Sequence, residues 1–169
     1  ASHALAKAAM FMAAGIVDHG AGTRDMRRLS GLFRSMPYTA TLAIVAAAAM
    51  AGVPLLNGFL SKEMFLAETL RLGEHGWAGF VFPAAATLAG IFTVAYSTRF
   101  VHDVFFGGPP RDLPHEPHEA PRWLRFPVEL LVIVCLVVGL FPAAEVEPVL
   151  RAAAGAVLQA PLPYFTLKI

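Results

Sequence analysis

Long apolar stretches alternate with short polar connections along the whole chain. The stretches cover residues 1–17, 37–51, 53–72, 78–106 and 124–141. A helix needs about 20 apolar residues to cross a bilayer, because each residue advances the helix by about 1.5 Å. The pattern therefore predicts an all-α, polytopic membrane protein with about five transmembrane helices, the first of them truncated.

The apolar region 37–72 is interrupted near its middle. It is too long for one straight span and barely long enough for two, and helix breakers divide it at Gly52, Pro54, Asn57 and Gly58. Broken backbone at membrane depth is tolerated only where protein buries it or where it lines a water-filled cavity. We predict either a tight hairpin or one helix together with an interrupted one here, with the reversal at residues 52–54.

The connection between the first two stretches is basic. Between Asp18 and Ser35, apolar residues recur at helical spacing among four arginines; the apolar residues are Met26, Leu29, Leu32 and Phe33, and the arginines are Arg24, Arg27, Arg28 and Arg34. This pattern is typical of a short amphipathic helix on the membrane surface. A solvated basic loop is the alternative.

The second half of the chain divides into three further parts. Residues 107–125 form a polar loop rich in proline and histidine, residues 126–142 a further transmembrane helix, and residues 143–169 an interfacial helix and the chain end. His115 and His118 invite a metal-site interpretation, but the prolines beside them disfavour a helix that would align ligands. We therefore expect a solvated loop with no bound metal.

The composition supports a membrane protein: 57% of the residues are hydrophobic, 15% are charged, and the mean hydropathy is +0.61. Soluble domains carry about 25% charged residues. The net charge of +1 indicates no nucleic-acid partner, and the single cysteine, Cys135, provides no disulfide framework or cysteine-based zinc site.

Because the chain starts in an apolar run without an initiator methionine or signal-peptide features, we expect a fragment of a longer membrane subunit.

Lysines and arginines occupy different parts of the chain. Lys7 and Lys62 lie within apolar segments, whereas all ten arginines lie in connections or near the ends of apolar stretches. Arginine keeps its charge in proteins, but a buried lysine can lose its proton. Deep lysines are therefore typical of proton handling. The alternative for Lys62 is a helix end from which the ammonium reaches the membrane interface.

Further polar residues accompany the two lysines. His3 and Lys7 are four residues apart, so a helix places them on one face, where histidine can exchange a proton near neutral pH. The alternative for His3 is a plain hydrogen bond to a neighbouring helix. As supporting residues, Ser61 is expected to hydrate the helix break, and Glu63 is expected to pair with a group on another helix.

Four motifs resemble a known family of membrane proteins. HALAKAAMFMAAG, TRDMRRLSGL, AGVPLLNGFLSKE and AYSTR occur in this order within residues 1–106. They resemble the antiporter-like family shared by Mrp-type cation/proton antiporters and the membrane arm of respiratory complex I. The following FFGGPPRDLPHEPHEAP resembles the A subunit of the Mrp antiporters more than the L subunit of complex I.

The resemblance implies a fold and a set of functional residues. The family fold has about fourteen helices per unit, built from two inverted repeats that each contain a broken helix. The HAxxKA motif implies that His3 and Lys7 lie on a central hydrophilic axis, and GFxSKE implies that Lys62 lies in the second broken helix. Where the family commonly has two prolines, this chain has Gly52-Val53-Pro54-Leu55, which leaves one helix breaker.

These observations lead to one functional hypothesis. We expect a proton-translocating subunit of a multisubunit Na⁺/H⁺ antiporter, with Lys62, Lys7 and His3 as proton relays, no catalytic residues and no cofactor. Its partners would be other subunits, the lipid bilayer, H⁺ and Na⁺, and its location the plasma membrane of a prokaryote, as a multi-pass protein. The alternatives are the homologous L-type subunit of NADH-quinone oxidoreductase and a membrane scaffold that conducts no ions.

Overall fold

A computed structural model describes residues 2–71 and 76–158, without the side chains at positions 78, 143–146 and 158. Within these ranges the chain forms six α-helices, one short 3-10 helix and no strand, which confirms the all-α prediction. The elements are α1 (Ser2–Ala21), the 3-10 helix (Leu32–Arg34), α2 (Pro37–Ala51), α3 (Asn57–Arg71), α4 (Ala78–Phe105), α5 (Arg122–Leu140) and α6 (Pro142–Leu158).

Two of the described helices are long and apolar enough to cross a bilayer. These are the segment Gly79–Phe105 of α4 and the whole of α5, with mean hydropathies of 1.6 and 2.2. Helices α2 and α3 have 15 residues each, fewer than the about 20 that a complete span needs. They are the two parts of the predicted interrupted helix, and the count of five transmembrane helices stays a prediction.

Small residues form the contacts between helices, and large apolar residues face outward. Ala9, Ala13, Ala40, Ala43 and Ala46 are fully buried where α1, α2 and α5 pack together. Small side chains let helix backbones approach closely, which is the usual packing of helices in lipid. By contrast, the exposed large apolar residues include several aromatics on α4 and α5, among them Phe80, Phe92, Trp123 and Phe126.

The predicted amphipathic helix between residues 18 and 35 is wrong. Beyond α1, this segment contains a turn and the 3-10 helix but no α-helix. Gly31 has a left-handed backbone (φ 62°), and the Asp25 carboxylate accepts a hydrogen bond from the Arg27 N–H two residues on, at 3.1 Å. Such a local contact competes with helix formation. Leu29 and Leu32 are nevertheless buried, so this basic loop is anchored in the core.

The proline-rich loop is shorter than predicted and is not simply solvated. It has no regular secondary structure, as expected, but it ends at Pro121 because α5 begins at Arg122. The Arg111 N–H donates to the Arg28 carbonyl oxygen at 3.1 Å, and Ala120 is buried. The loop therefore packs against the connection between α1 and α2.

The last described helix begins where the sequence predicts one, and its interfacial location stays a prediction. The sequence predicts an interfacial helix after the span that ends near residue 142, and α6 begins at Pro142, where a proline fits the first helical turn. The predicted chain end at residues 159–169 lies outside the described residues.

Candidate functional site at the helix break

The interruption between α2 and α3 lies at the predicted place. Helix α2 ends at Ala51, Gly52 has a left-handed backbone (φ 86°), and its N–H donates back to the Ala48 carbonyl oxygen at 3.0 Å. This is a usual way for glycine to end a helix. Leu55 also has a positive φ of 72°, a conformation that costs energy for a residue with a side chain. The unwound backbone therefore covers residues 52–56.

Asn57 and Gly58 do not break the helix, contrary to the prediction, because they form the first turn of α3. Gly58 is required by a close approach between backbones: a Cβ atom there would overlap the Ala49 carbonyl oxygen of α2. Gly139 of α5 has the same role on the other side, since its Cβ would lie 2.6 Å from the Leu56 Cα. Two glycines thus let α2 and α5 enclose the break.

Lys62 lies in the second turn of α3 and is directed at the end of α2. Its ammonium donates a hydrogen bond to the Ala51 carbonyl oxygen at 2.9 Å, and the side chain is half-buried. The last carbonyl groups of a helix lack partners within the helix, and they carry the negative end of its dipole. Lys62 is therefore a cationic cap on α2, contributed by the other half of the interrupted helix.

A small polar cluster joins the start of α1 to the start of α3. The Ser2 hydroxyl donates to the Asn57 carbonyl oxygen at 2.7 Å, the Asn57 amide donates to the Ser2 carbonyl oxygen at 3.2 Å, and the Ser61 hydroxyl lies 3.3 Å from the Ser2 hydroxyl. Asn57 is 1% exposed, and its Oδ1 has no hydrogen-bond partner among the described residues. A buried acceptor of this kind is a place where water binds.

The other predicted relay residues lie away from this cluster. His3 and Lys7 are both exposed on α1, and the Lys7 ammonium lies 5.8 Å from the centre of the Phe11 ring. Within the described residues no hydrogen bond joins His3 or Lys7 to Lys62. Glu63 is exposed and forms no ion pair in this part of the chain. The structure thus brings Lys62 and Ser61 to the break, and leaves His3, Lys7 and Glu63 on the surface of the described helices.

A cleft between α3 and α4 leads to Lys62. It has a volume of about 340 Å³, and its wall includes Lys62, Phe65, Thr87 and Thr93. The two threonine hydroxyls donate to carbonyl oxygens of their own helix at 2.8 Å. Lys62 is therefore the one titratable group among the described residues that line this cleft.

Sequence reasoning missed a residue at the opposite end of α2. The Glu119 carboxylate accepts hydrogen bonds from the Tyr38 N–H at 2.9 Å, from the Thr39 N–H at 3.4 Å and from the Thr39 hydroxyl. The available signal was the residue before Pro37: Met36 has no side-chain acceptor, so the first N–H groups of α2 needed a partner from elsewhere. The sequence did not identify which of the distant carboxylates would supply it.

Several known proteins are similar to this chain. Residues 1–88 match the family described as NADH:quinone oxidoreductase/Mrp antiporter, TM. The A/B subunit of a probable K⁺/H⁺ antiporter of Rhizobium meliloti (strain 1021) is 58% identical over 168 residues, which cover 99% of this chain and 17% of that protein. The A1 subunit of a Na⁺/H⁺ antiporter of Staphylococcus aureus (strain JH9) is 36% identical over 162 residues, covering 92% and 20%.

A solved structure agrees with these relatives. The Mrp complex from Dietzia sp. DQ12-45-1b contains a chain that superposes with a TM-score of 0.74 at 36% identity, over 98% of this chain and 17% of that one. The chain therefore spans a fifth or less of the length of the proteins that it matches. The residues matched by the family include all of α1, α2 and α3, and with them His3, Lys7 and Lys62.

Proposed function

Because this chain belongs to the NADH:quinone oxidoreductase/Mrp antiporter transmembrane family, we propose that it carries part of the proton path of a multisubunit monovalent cation/proton antiporter. The resemblance inferred from the four sequence motifs is confirmed. The similar proteins are antiporter subunits and a chain of an Mrp complex, which supports transport rather than an enzymatic reaction. The relatives also support a membrane protein that works with other subunits, and we propose the plasma membrane of a prokaryote as its location.

The observation that carries the proposal is the hydrogen bond from Lys62 to the last carbonyl of α2. Two opposing effects act on the ammonium there: partial burial disfavours the charged form, and the negative end of the helix dipole favours it. A cation at a partly buried helix end gains up to about 2 kcal/mol from the dipole. A change of hydration or of nearby charge shifts this balance and so favours loading or release of the proton.

The interrupted helix provides the polar surroundings that this exchange needs. When Lys62 releases its proton, the Ala51 carbonyl loses a charged partner, and the neutral amine that remains is a weaker donor, which water can replace. The 340 Å³ cleft between α3 and α4 has room for several water molecules beside Lys62. The Ser2, Asn57 and Ser61 cluster supplies further hydrogen-bonding groups at the start of α3.

We assign His3 and Lys7 to a continuation of the path along α1. The support is their spacing, which puts both on one helix face, and the hydrogen bonds of Ser2, which tie this end of α1 to the break. Ser61 and Glu63 are proposed as supporting residues, Ser61 by holding water and Glu63 by pairing outside the described residues. All four residues are exposed within the described helices. In the relatives, of which this chain covers 17% and 20%, further chain is available to cover such positions.

The coupling cation is the open part of the proposal. Sequence analysis favoured Na⁺, and the Staphylococcus aureus relative is named a Na⁺/H⁺ antiporter subunit. The Rhizobium meliloti relative, which is more similar to this chain, is named a K⁺/H⁺ antiporter subunit. We therefore propose a monovalent cation without restricting it to Na⁺. Adding Na⁺ or K⁺ to vesicles that contain the full complex distinguishes the two.

The same vesicles test the proposed function against its alternatives. An antiporter moves protons when a cation gradient is applied, without any electron donor. An L-type subunit of NADH-quinone oxidoreductase moves protons only when NADH is oxidised, and a scaffold moves none in either condition. Cation-driven proton movement that disappears in Lys62→Ala supports the antiporter; proton movement that depends on NADH contradicts it.

A further inference from the structure

Helix α2 has an acidic side chain at its N-terminal end and a basic side chain at its C-terminal end. Glu119 comes from the loop before α5 and binds the Tyr38 and Thr39 N–H groups. Lys62 comes from α3 and binds the Ala51 carbonyl oxygen at 2.9 Å. Both charges have the sign that a helix dipole favours at the respective end. Neither residue belongs to α2, so two other parts of the chain hold this half-helix in place.

The Glu119 contact is specific. Thr39 is fully buried, and its hydroxyl and N–H both donate to the Glu119 carboxylate. Met36, the residue before the helix, provides no side-chain hydrogen bond of its own. The neighbouring Glu116 is exposed, and its backbone oxygen lies 3.2 Å from His118 Nδ1. One of the two loop glutamates is therefore fixed at α2 and the other is not.

We propose that Glu119 is a positioning residue for Lys62, and that it acts through α2 by fixing the half-helix and by supplying a negative charge at its far end. This inference rests on the proposed function of Lys62 as a proton relay. The negative charge of Glu119 favours the ammonium form of Lys62. Without that charge, Lys62 loses its proton at a lower pH.

The size of the effect follows from the length of the helix. The 12 residue steps from Thr39 to Ala51 correspond to about 18 Å. At that distance and an effective dielectric constant near 20, one unit charge changes a protonation equilibrium about 3- to 5-fold. This is a shift of about half a pH unit in the pH profile of transport.

Other titratable groups lie on the elements that pack around α2 and α3. They are His3, Lys7, Asp18 and His19 on α1, Arg34 on the 3-10 helix, Tyr38 on α2, Glu63, Glu68 and Arg71 on α3, Tyr96, Arg99, His102 and Asp103 on α4, and Arg122, Arg125, Glu129 and Cys135 on α5. The part of α4 that lines the cleft beside Lys62 contributes threonine hydroxyls and apolar groups. Arg125 lies 4.8 Å from the centre of the Tyr38 ring, near the Glu119 end of α2. All these groups are unchanged in a comparison of Glu119 variants, so the comparison isolates the Glu119 charge.

The experiment uses the full complex in membrane vesicles and measures cation-driven proton movement per assembled complex from pH 6 to 10. The variants are Glu119→Gln, which removes the charge, Glu119→Asp, which keeps it, and the matched control Glu116→Gln. We expect the alkaline limb of the profile to move about half a pH unit downward in Glu119→Gln, and to stay at the wild-type position in Glu119→Asp and Glu116→Gln.

A purely structural role of Glu119 predicts a different result: less assembled complex in both Glu119 variants and an unchanged pH profile. That result overturns the proposal.

Should Glu119→Gln not assemble, Thr41→Lys provides the second test, because it adds a positive charge on the exposed side of the same helical turn. The same downward shift is expected there, and an unmoved profile contradicts the proposal. If wild-type vesicles show no cation-driven proton movement, the proposed function fails instead.

Discussion

The backbone of Gly58 lies directly against Ala49: a Cβ atom on Gly58 would overlap the Ala49 carbonyl oxygen and lie 2.8 Å from its carbonyl carbon. This contact brings the first turn of α3 beside the last turns of α2. It places Lys62, one turn further along α3, within reach of the Ala51 carbonyl. The close packing of α2 against α3 therefore determines the position of the Lys62 ammonium group.

Gly58→Ala tests this packing. The added methyl group meets backbone atoms that cannot move independently of α2, so we expect a destabilisation of about 1–3 kcal/mol and a lower yield of assembled complex. Gly15→Ala is the matched control, because Gly15 is also helical and has no atom within 4 Å of an added Cβ. Equal thermal stability of the two purified variants would contradict the packing described here.

Gly52→Ala tests the contact between the end of α2 and the lysine. Gly52 has a φ of 86°, and a Cβ there would lie 2.8 Å from the Lys62 Cδ. A left-handed backbone costs a residue with a side chain about 1–2 kcal/mol. We expect this loss of stability together with reduced proton movement, because the methyl group displaces the lysine side chain from the Ala51 carbonyl.

The control for that variant is Gly76→Ala. Gly76 also has a positive φ, of 63°, but nothing lies within 4 Å of an added Cβ. The backbone strain is therefore similar in both variants, whereas Lys62 is displaced only in Gly52→Ala. Transport per assembled complex is the measurement. Equal activity of the two variants would show that the position of the Lys62 side chain does not depend on a glycine at residue 52.

The loop histidines provide a further prediction. Within the described residues no group of three or more histidine, cysteine, aspartate or glutamate side chains is arranged to hold a metal ion. His115 and His118 are both exposed. We expect the double variant His115→Ala/His118→Ala to transport like the wild type, with or without added Zn²⁺. Activity that is lost in this variant and depends on Zn²⁺ in the wild type would reveal a metal site.

The sequence predicted the helices and the break because their signals are local. Apolar length defines α4 and α5, and Gly52 and Pro54 mark the end of α2 within the sequence itself. The amphipathic helix predicted between residues 18 and 35 was wrong because helical spacing of apolar residues does not show that Gly31 adopts a left-handed backbone. The spacing of the apolar residues did identify two that are buried, Leu29 and Leu32. The spacing does not show that this segment packs against the proline-rich loop, where the Arg111 N–H donates to the Arg28 carbonyl oxygen.

The candidate site was predicted only in part. Lys62 was identified from its position after the break, but its acceptor, the Ala51 carbonyl, depends on how α3 packs against α2. The Glu119 cap joins residues 80 positions apart, and no local pattern predicts such a contact. His3 and Lys7 share a helix face as expected, yet their connection to Lys62 stays a prediction because it is not formed within the described residues.

Substitution of Lys62 tests the central claim most directly. The measurement is cation-driven proton movement in vesicles, normalised to the amount of assembled complex, for Lys62→Ala and Lys62→Arg. Alanine removes the proton carrier, and arginine keeps the positive charge but does not release its proton. We predict that both variants assemble and that both lose proton movement. Retained proton movement in an assembled Lys62→Arg complex would show that Lys62 is a fixed charge at the end of α2 and would contradict the account.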